Sequence, residues 1–246
     1  MAFTLSSHPD LDVSALNARL EVSSLDEVIT WCWEQFGTMA AIGTSFQGSG
    51  LVIMDHAFRK LKLPVPVFTL DTGFLFPETL ALKKQLEDLW GVHIESLHPE
   101  QTVEEQERTL GPELWKRNPD TCCTMRKVLP LQLKLDRLDV WVTGMRKQQN
   151  SFRNERKILE LYEFDNLRER YILKLNPMLN WSREQVWDYL KENNIPYNPL
   201  HDRGYKSIGC WPCTRAVGNG ENDRAGRWEG FDKTECGIHT FLGQSI

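Results

Sequence analysis

The chain has 246 residues, 41% hydrophobic and 26% charged, enough for one large folded domain or two small ones, which excludes a disordered or fibrous polymer. Its 29 basic and 34 acidic residues leave a net charge of −5, so no general attraction draws it to nucleic acid or anionic membranes, although a local basic site is still open to it. No apolar run is long enough to cross a bilayer, and the first residues lack the basic start and apolar core of a signal peptide. The expectation is a cytoplasmic protein, where clustered cysteines are more often ligands or catalysts than disulfides.

In chain order, Ser24 is placed to cap a helix over LDEVITWCWEQF that ends at Gly37. TMAAIG (38–43) is a short apolar run expected as a buried strand. The glycine- and serine-rich turn TSFQGSG follows, then a helix through LVIMDHAFRKLK (51–62). VPVFTL (65–70) is a second strand, closed by the turn Asp71-Thr72-Gly73. Pro77 suits the first turn of the helix PETLALKKQLEDLW. VHIESL (92–97) and DVWVTG (139–144) are the third and fourth strands. SREQVWDYLKENN (182–194) is a helix with Val186, Tyr189 and Leu190 on one face. Pro196 and Pro199 break the chain after it. From Gly218 to Gly230 the sequence is glycine-rich and charged without apolar periodicity, and it reads as a mobile loop leading to a short tail.

Strands alternating with helices predict an α/β fold, a parallel twisted sheet with helices on both faces. Ligands in such folds sit at the carboxyl ends of the strands. The turn at Ser45–Gly50, the Asp71 turn and Gly144 all fall there.

The cysteines carry the strongest chemistry. Cys210-Trp211-Pro212-Cys213 is a CxxC pair that can chelate a metal or act as a redox pair. Cys122 and Cys123 are adjacent, so on a helix they diverge by about 100° and do not face one another. They can still straddle a bulky object. Four thiolates suit zinc or an iron–sulfur cluster, and spacing does not choose between these two or exclude plain packing. Cys32, inside an apolar helix, reads as core. Cys236 stands apart in Glu235-Cys236-Gly237-Ile238-His239. On spacing alone it reads as an ordinary surface cysteine, with His239 close enough in sequence to activate it.

CCTMRKVLPL (122–131), SIGCWPCTR (207–215) and ECGIHT (235–240) together resemble the assimilatory adenylyl-sulfate reductases, within the wider phosphoadenylyl-sulfate reductase family. LDTGFLFPET (70–79), TGMRKQQNSFR (143–153), LHDRGY (200–205) and DRAGRW (223–228) support the match, which spans about 38–240. The resemblance implies a fold related to the adenine nucleotide α-hydrolases. It implies one 4Fe-4S cluster on Cys122, Cys123, Cys210 and Cys213. The implied reaction converts adenosine 5′-phosphosulfate (APS) to sulfite and AMP, with thioredoxin or glutaredoxin as reductant and Cys236 as nucleophile. Relatives acting on the 3′-phosphorylated substrate (PAPS) mostly lack both cysteine pairs, so the pairs favour APS, with PAPS or dual specificity as the alternative.

The resemblance also places Ser45, Gly48, Leu70, Asp71, Thr72 and Gly73 along the nucleotide and Gly144 near the ribose. An anionic nucleophile approaching an anionic phosphosulfate needs cations, for which Lys127, Arg153, Arg224 and Arg227 are the candidates. Arg146 and Lys147 are taken as solvated surface. Ser45–Gly50 departs from the SGGxDS loop of ATP-cleaving, tRNA-thiolating relatives, which argues against that activity. The expected division is a nucleotide- and cluster-binding unit over 1–217 and a C-terminal segment over 218–246 carrying Cys236. Nothing in the sequence fixes or excludes a homo-oligomer.

Overall fold

The computed structural model describes residues 11–149, 153–165, 170–233 and 237–239. Nine α-helices are assigned among them: α1 (Val13–Leu20), α2 (Leu25–Phe36), α3 (Gly48–Asp55), α4 (Pro77–Trp90), α5 (Val103–Leu110), α6 (Leu114–Arg117), α7 (Pro119–Cys123), α8 (Leu129–Leu135) and α9 (Arg183–Glu192). Six strands form one sheet: β1 (Ala40–Gly43), β2 (Val67–Leu70), β3 (Ile94–Leu97), β4 (Val140–Thr143), β5 (Leu159–Asp165) and β6 (Arg170–Leu175). Among these residues no helix is long and apolar enough to cross a membrane.

The spatial order is β3-β2-β1-β4-β6-β5. The first three strands step one way from β1 and β4 sits on its other side, so the switch point lies between β1 and β4. All neighbours pair in parallel except β5, which runs antiparallel to β6 at the edge. The sheet is parallel through five strands, as expected, and the antiparallel edge strand makes it mixed. The cause is the pair β5 and β6, which had not been anticipated. Only residues 166–169 separate these strands, too few for the crossover that a parallel pair needs.

Side-chain alternation builds the core on both faces. Ala40, Ile42, Val67, Val140, Val142, Leu173 and Leu175 point to one face, where α2, α3 and α9 bring Val28, Ile29, Leu51, Val186 and Leu190. Ala41, Phe68, Trp141, Tyr162 and Ile172 point to the other, against Leu131 and Leu135 of α8.

Local signals explain the helix starts. Ser24 and Ser182 each make reciprocal capping boxes, with Glu27 and Gln185. Pro77 stands in the first turn of α4, and Gly91 ends that helix in the left-handed region at φ 64°. Two helices depart from expectation. The α3 helix begins at Gly48, before Leu51, and passes into a π-turn over His56–Lys60. A second π-turn, Thr124–Val128, joins α7 to α8. Pro130 follows it, and a proline cannot donate to the carbonyl four residues back, here that of Arg126. Wide turns of this kind often accompany functional sites, and this one carries Arg126 and Lys127 directly after the cysteine pair.

Cys32 is buried in α2, and burial pushes its thiol up from 9.0 to about 12. That rise cuts its thiolate fraction about a thousandfold near neutrality. Alkylation at pH 8 is expected to label Cys32 only after denaturation. Labelling of the native chain at the rate of a free thiol contradicts this packing.

Candidate active site

The carboxyl ends of β1, β2 and β4 open into a cleft of about 540 Å³, within the range typical of small-molecule sites. Its floor includes Gly43, Phe68 and Trp141. The turn from Thr44 to Gly50 forms one wall and leads into α3, whose N-cap residue Gln47 makes no side-chain cap. Gln47 instead turns to Ile208, donating from Nε2 to its carbonyl at 3.0 Å and accepting from its N–H at 3.4 Å. The glycine turn is thereby tied to the segment that carries Cys210. Gly144 ends β4 where a Cβ would sit 3.0 Å from Gly50 N and 3.1 Å from Ser49 Cβ. Only glycine lets these two backbone stretches pass so closely.

Ser45, Gly48, Leu70, Thr72, Lys127, Gly144, Arg153, Arg224, Arg227 and His239 all line this cleft. Asp71 and Gly73 do not: they form the turn beside it, where Gly73 N donates to Asp71 Oδ1 at 3.0 Å. Cys236 lies outside the described residues, as do Glu235 and Thr240.

Several lining groups escaped the sequence reading. Arg146 had been assigned to the surface, yet it lines the cleft and donates from Nε to Ser49 Oγ at 3.0 Å. Its place two residues beyond a strand-ending glycine was the available signal. Arg183 pairs with Asp223, whose carboxylate also lies 3.7 Å from Lys206 Nζ. Arg153 donates to Gln149.

The stretch from Gly218 to Gly230, expected as a loop without helix or strand, is a series of turns, of which Asp223, Arg224, Arg227 and Trp228 line the cleft. Arg215 N donates to Gly226 O and Trp228 N to Cys213 O, with Gly226, Arg227 and Trp228 buried. The Arg227 guanidinium lies 4.4 Å from the Trp228 ring centroid and donates to Ser207 Oγ at 3.3 Å. A Cβ on Gly209 would stand 2.2 Å from that guanidinium, so the glycine of SIGC makes the space Arg227 occupies.

Behind the cleft lies a small cavity lined by Cys122, Cys123, Cys210 and Cys213, with Arg126, Lys127, Phe74 and Trp115. Thr72 Oγ1 stands 3.2 Å from Cys210 Sγ, and Trp211 N donates to Phe74 O at 2.8 Å. LDTGF and SIGCWPC are thus packed together. Arg126 is buried and donates from Nε to Thr72 O at 2.5 Å and from Nη1 to Gln106 Oε1 at 2.9 Å.

The thiols feel one another. Burial, then the neighbouring cysteines, push Cys122 up to about 12, against the pull of Lys127. Burial and Cys210 push Cys213 up to about 11. Burial also acts to raise Cys210, but the charge of Lys127, the Thr72 hydroxyl and Arg227 outweigh it, and its net shift is downward. Four thiolates here would repel one another strongly without added positive charge, which is what a metal group supplies. Among the described residues no three His, Cys, Asp or Glu groups gather tightly enough for a single metal ion. Four thiols are a donor set that zinc and iron–sulfur clusters both use.

His239 stacks on Trp141, with ring centroids 5.2 Å apart and planes at 14°. Burial, then Lys174, Arg153, Arg224 and Arg156, hold its pKa well below the ordinary value, so the imidazole is neutral. Its Nδ1 has no hydrogen-bond partner among the described residues.

Residues 40–216 match the family model described as the phosphoadenosine phosphosulfate reductase domain. An adenosine 5′-phosphosulfate reductase of Salinibacter ruber is 42% identical over 230 residues, covering 93% of this chain and 88% of that one. A protein of the same name from Rhodococcus opacus is 36% identical over 250 residues, covering 97% and 99%. In structure, the phosphate complex of phosphoadenylyl-sulfate reductase from Candida auris superposes with a TM-score of 0.72 at 30% identity, covering 88% of this chain and 100% of that one. By sequence and by fold, the chain belongs to the phosphoadenosine phosphosulfate reductase family.

Proposed function

We propose that this protein reduces APS to sulfite and AMP in sulfate assimilation. The observation that carries the reading is that Lys127 and Cys210 line both the cleft and the four-cysteine cavity. A nucleotide site and a thiolate site share a wall there.

In this mechanism the uncapped N–H groups at the start of α3 and the glycine turn receive the nucleotide. Lys127, Arg153, Arg224 and Arg227 face the phosphosulfate and offset the repulsion between it and a thiolate. The Cys236 thiolate attacks the sulfate sulfur. The sulfur–oxygen bond to AMP breaks, and AMP carries off the electron pair. This leaves an S-sulfocysteine. A thiolate of thioredoxin or glutaredoxin then attacks the Cys236 sulfur, and sulfite leaves with the bonding electrons. A second thiol of the reductant releases Cys236 as a thiolate and closes a disulfide, so the reductant supplies both electrons. His239 lines the cleft as a neutral imidazole whose low pKa makes it a weak base, so the thiolate form of Cys236 is left to the neighbouring cations.

Cys122, Cys123, Cys210 and Cys213 would hold one 4Fe-4S cluster. Bound there, it supplies compensating charge to the four thiolates and a fixed field beside Lys127. The thiol chemistry takes no electrons from it. A cytoplasmic setting, where these thiols stay reduced, suits the reading.

The test is intact-mass measurement after mixing the cluster-loaded protein with APS or with PAPS. A sulfite-sized adduct on Cys236 with APS supports the reading, and faster labelling by PAPS replaces it with the 3′-phosphorylated substrate. No adduct with either nucleotide would falsify the mechanism.

Arg224→Ala and Arg227→Ala are expected to raise the Michaelis constant for APS at least about tenfold each, the scale of one lost charge-assisted hydrogen bond. Steady-state kinetics check this. Unchanged constants in both variants remove these arginines from substrate binding.

A further inference from the structure

On the sheet face that carries Trp141, three strands contribute to one small aromatic surface. Trp141 of β4 pairs in register with Lys174 of β6, and Tyr162 of β5 with Ile172 of β6. The Trp141 and Tyr162 rings lie 5.7 Å apart, and Lys174, fully buried, holds Nζ 5.3 Å and 4.7 Å from their centroids. A cation against two ring faces fixes both orientations. Leu131 and Leu135 of α8 cover one part of this face. Residues 237–239 cover another.

Their contacts are specific. The Tyr162 hydroxyl donates to Ile238 O at 2.8 Å. The Ile238 side chain packs against the same cluster as Phe68, Trp141 and Tyr162. The His239 ring stacks on Trp141. Gly237 is buried and turns the chain at φ 87°. One hydrogen bond from a side-chain hydroxyl to the backbone, one apolar anchor and one ring stack therefore seat three consecutive residues on this surface.

We propose that Tyr162, with Trp141 beside it, is a positioning residue that docks residues 237–239 and so sets where the chain delivers Cys236, one peptide bond before Gly237. Its bearing on catalysis rests on the reading of Cys236 as the nucleophile. The docking itself does not. Tyr162 itself lines neither the cleft nor the cysteine cavity, and reaches the cleft only through Trp141 and Ile238. Its effect should therefore fall on the rate of attack and spare nucleotide affinity.

Tyr162→Phe keeps the ring and removes only the hydroxyl. In the full-length, cluster-loaded protein, amide hydrogen exchange at 237–239 is expected to quicken about fivefold to tenfold, the scale of one lost buried hydrogen bond. The single-turnover rate of adduct formation with APS is expected to fall by a similar factor. The dissociation constant for AMP stays within about twofold. Ile238→Ala is expected to quicken exchange of the same amides and to slow adduct formation; because Ile238 also lines the cleft, AMP affinity is read in Tyr162→Phe alone. Unchanged exchange at 237–239 in both variants overturns the proposal, and so does a protection loss spread evenly over the sheet. Faster exchange confined to 237–239, with no adduct in any variant or in the parent protein, supports the dock while the reductase reading fails.

Discussion

Cys236→Ser is expected to abolish sulfite formation, with turnover falling at least about 10⁴-fold, while AMP still binds within about twofold. The size of the effect follows from the chemistry. A serine hydroxyl is scarcely ionised near neutrality, whereas a cysteine thiol is a few per cent thiolate and intrinsically a far better nucleophile. A serine sulfate ester, even if it formed, would have oxygen in place of the divalent bridging sulfur that the reductant's thiolate attacks, so sulfite could not leave by exchange. The loss is therefore of the whole reaction and not of one contribution to its rate. Binding is expected to be spared because the cleft lining, the glycine turn, Gly144 and the cations, is unchanged in sequence by the substitution. Intact-mass measurement with APS and calorimetry with AMP check the two halves separately. Residual turnover above about one per cent moves the nucleophile elsewhere.

Much of this site was legible because it sits on backbone turns with local signals. The first four strands are short apolar runs between helical patterns, and the glycines that end or follow them fall where a parallel sheet binds ligands. β5 and β6 were not legible for a physical reason. Glu160 interrupts the apolar run of β5, and Lys174 that of β6. Both read as solvent-facing, yet the two are paired across the strands and buried. Arg146 failed likewise: a charge next to another charge usually marks surface, and only the approach of Gly144 to Gly50 shows that its side chain meets Ser49. The Gly218–Gly230 stretch has no periodicity because it forms turns, not helix or strand. Its order comes from Arg227 filling the space at Gly209 and from Trp228 bonding Cys213, contacts between distant residues that no local pattern announces. The π-turn after Cys123 depends on Pro130, seven residues on, and it is what carries Arg126 and Lys127 against the thiols.

Loss of a single cysteine of the four has the second large effect. Cys213→Ser is expected to lower bound iron to less than about a tenth of the parent level and to abolish turnover. Groups that only support metal ligands are worth about 10–100-fold in affinity, so removing a thiolate ligand costs more than that. The thiols also make iron loading, on the proposed cluster assignment, depend on pH. Cys122 lies near 12 in the metal-free chain, so it is protonated at neutral pH and must give up that proton to bind iron. In the parent protein Cys213, near 11, must do the same. Iron loading therefore releases protons, and apparent affinity falls as pH falls, by about tenfold per pH unit for each proton released. The metal-free chain has the opposite preference. Thiols raised above 9.0 favour the folded state fully below that value, and this contribution is lost as pH rises through about 11 to 12. Acid should thus strip the loaded protein while alkali destabilises the empty one. Iron content between pH 6 and pH 8 and thermal unfolding of the metal-free chain between pH 8 and pH 12 measure the two trends. A variant that keeps full iron without Cys213 sinks the four-thiolate assignment.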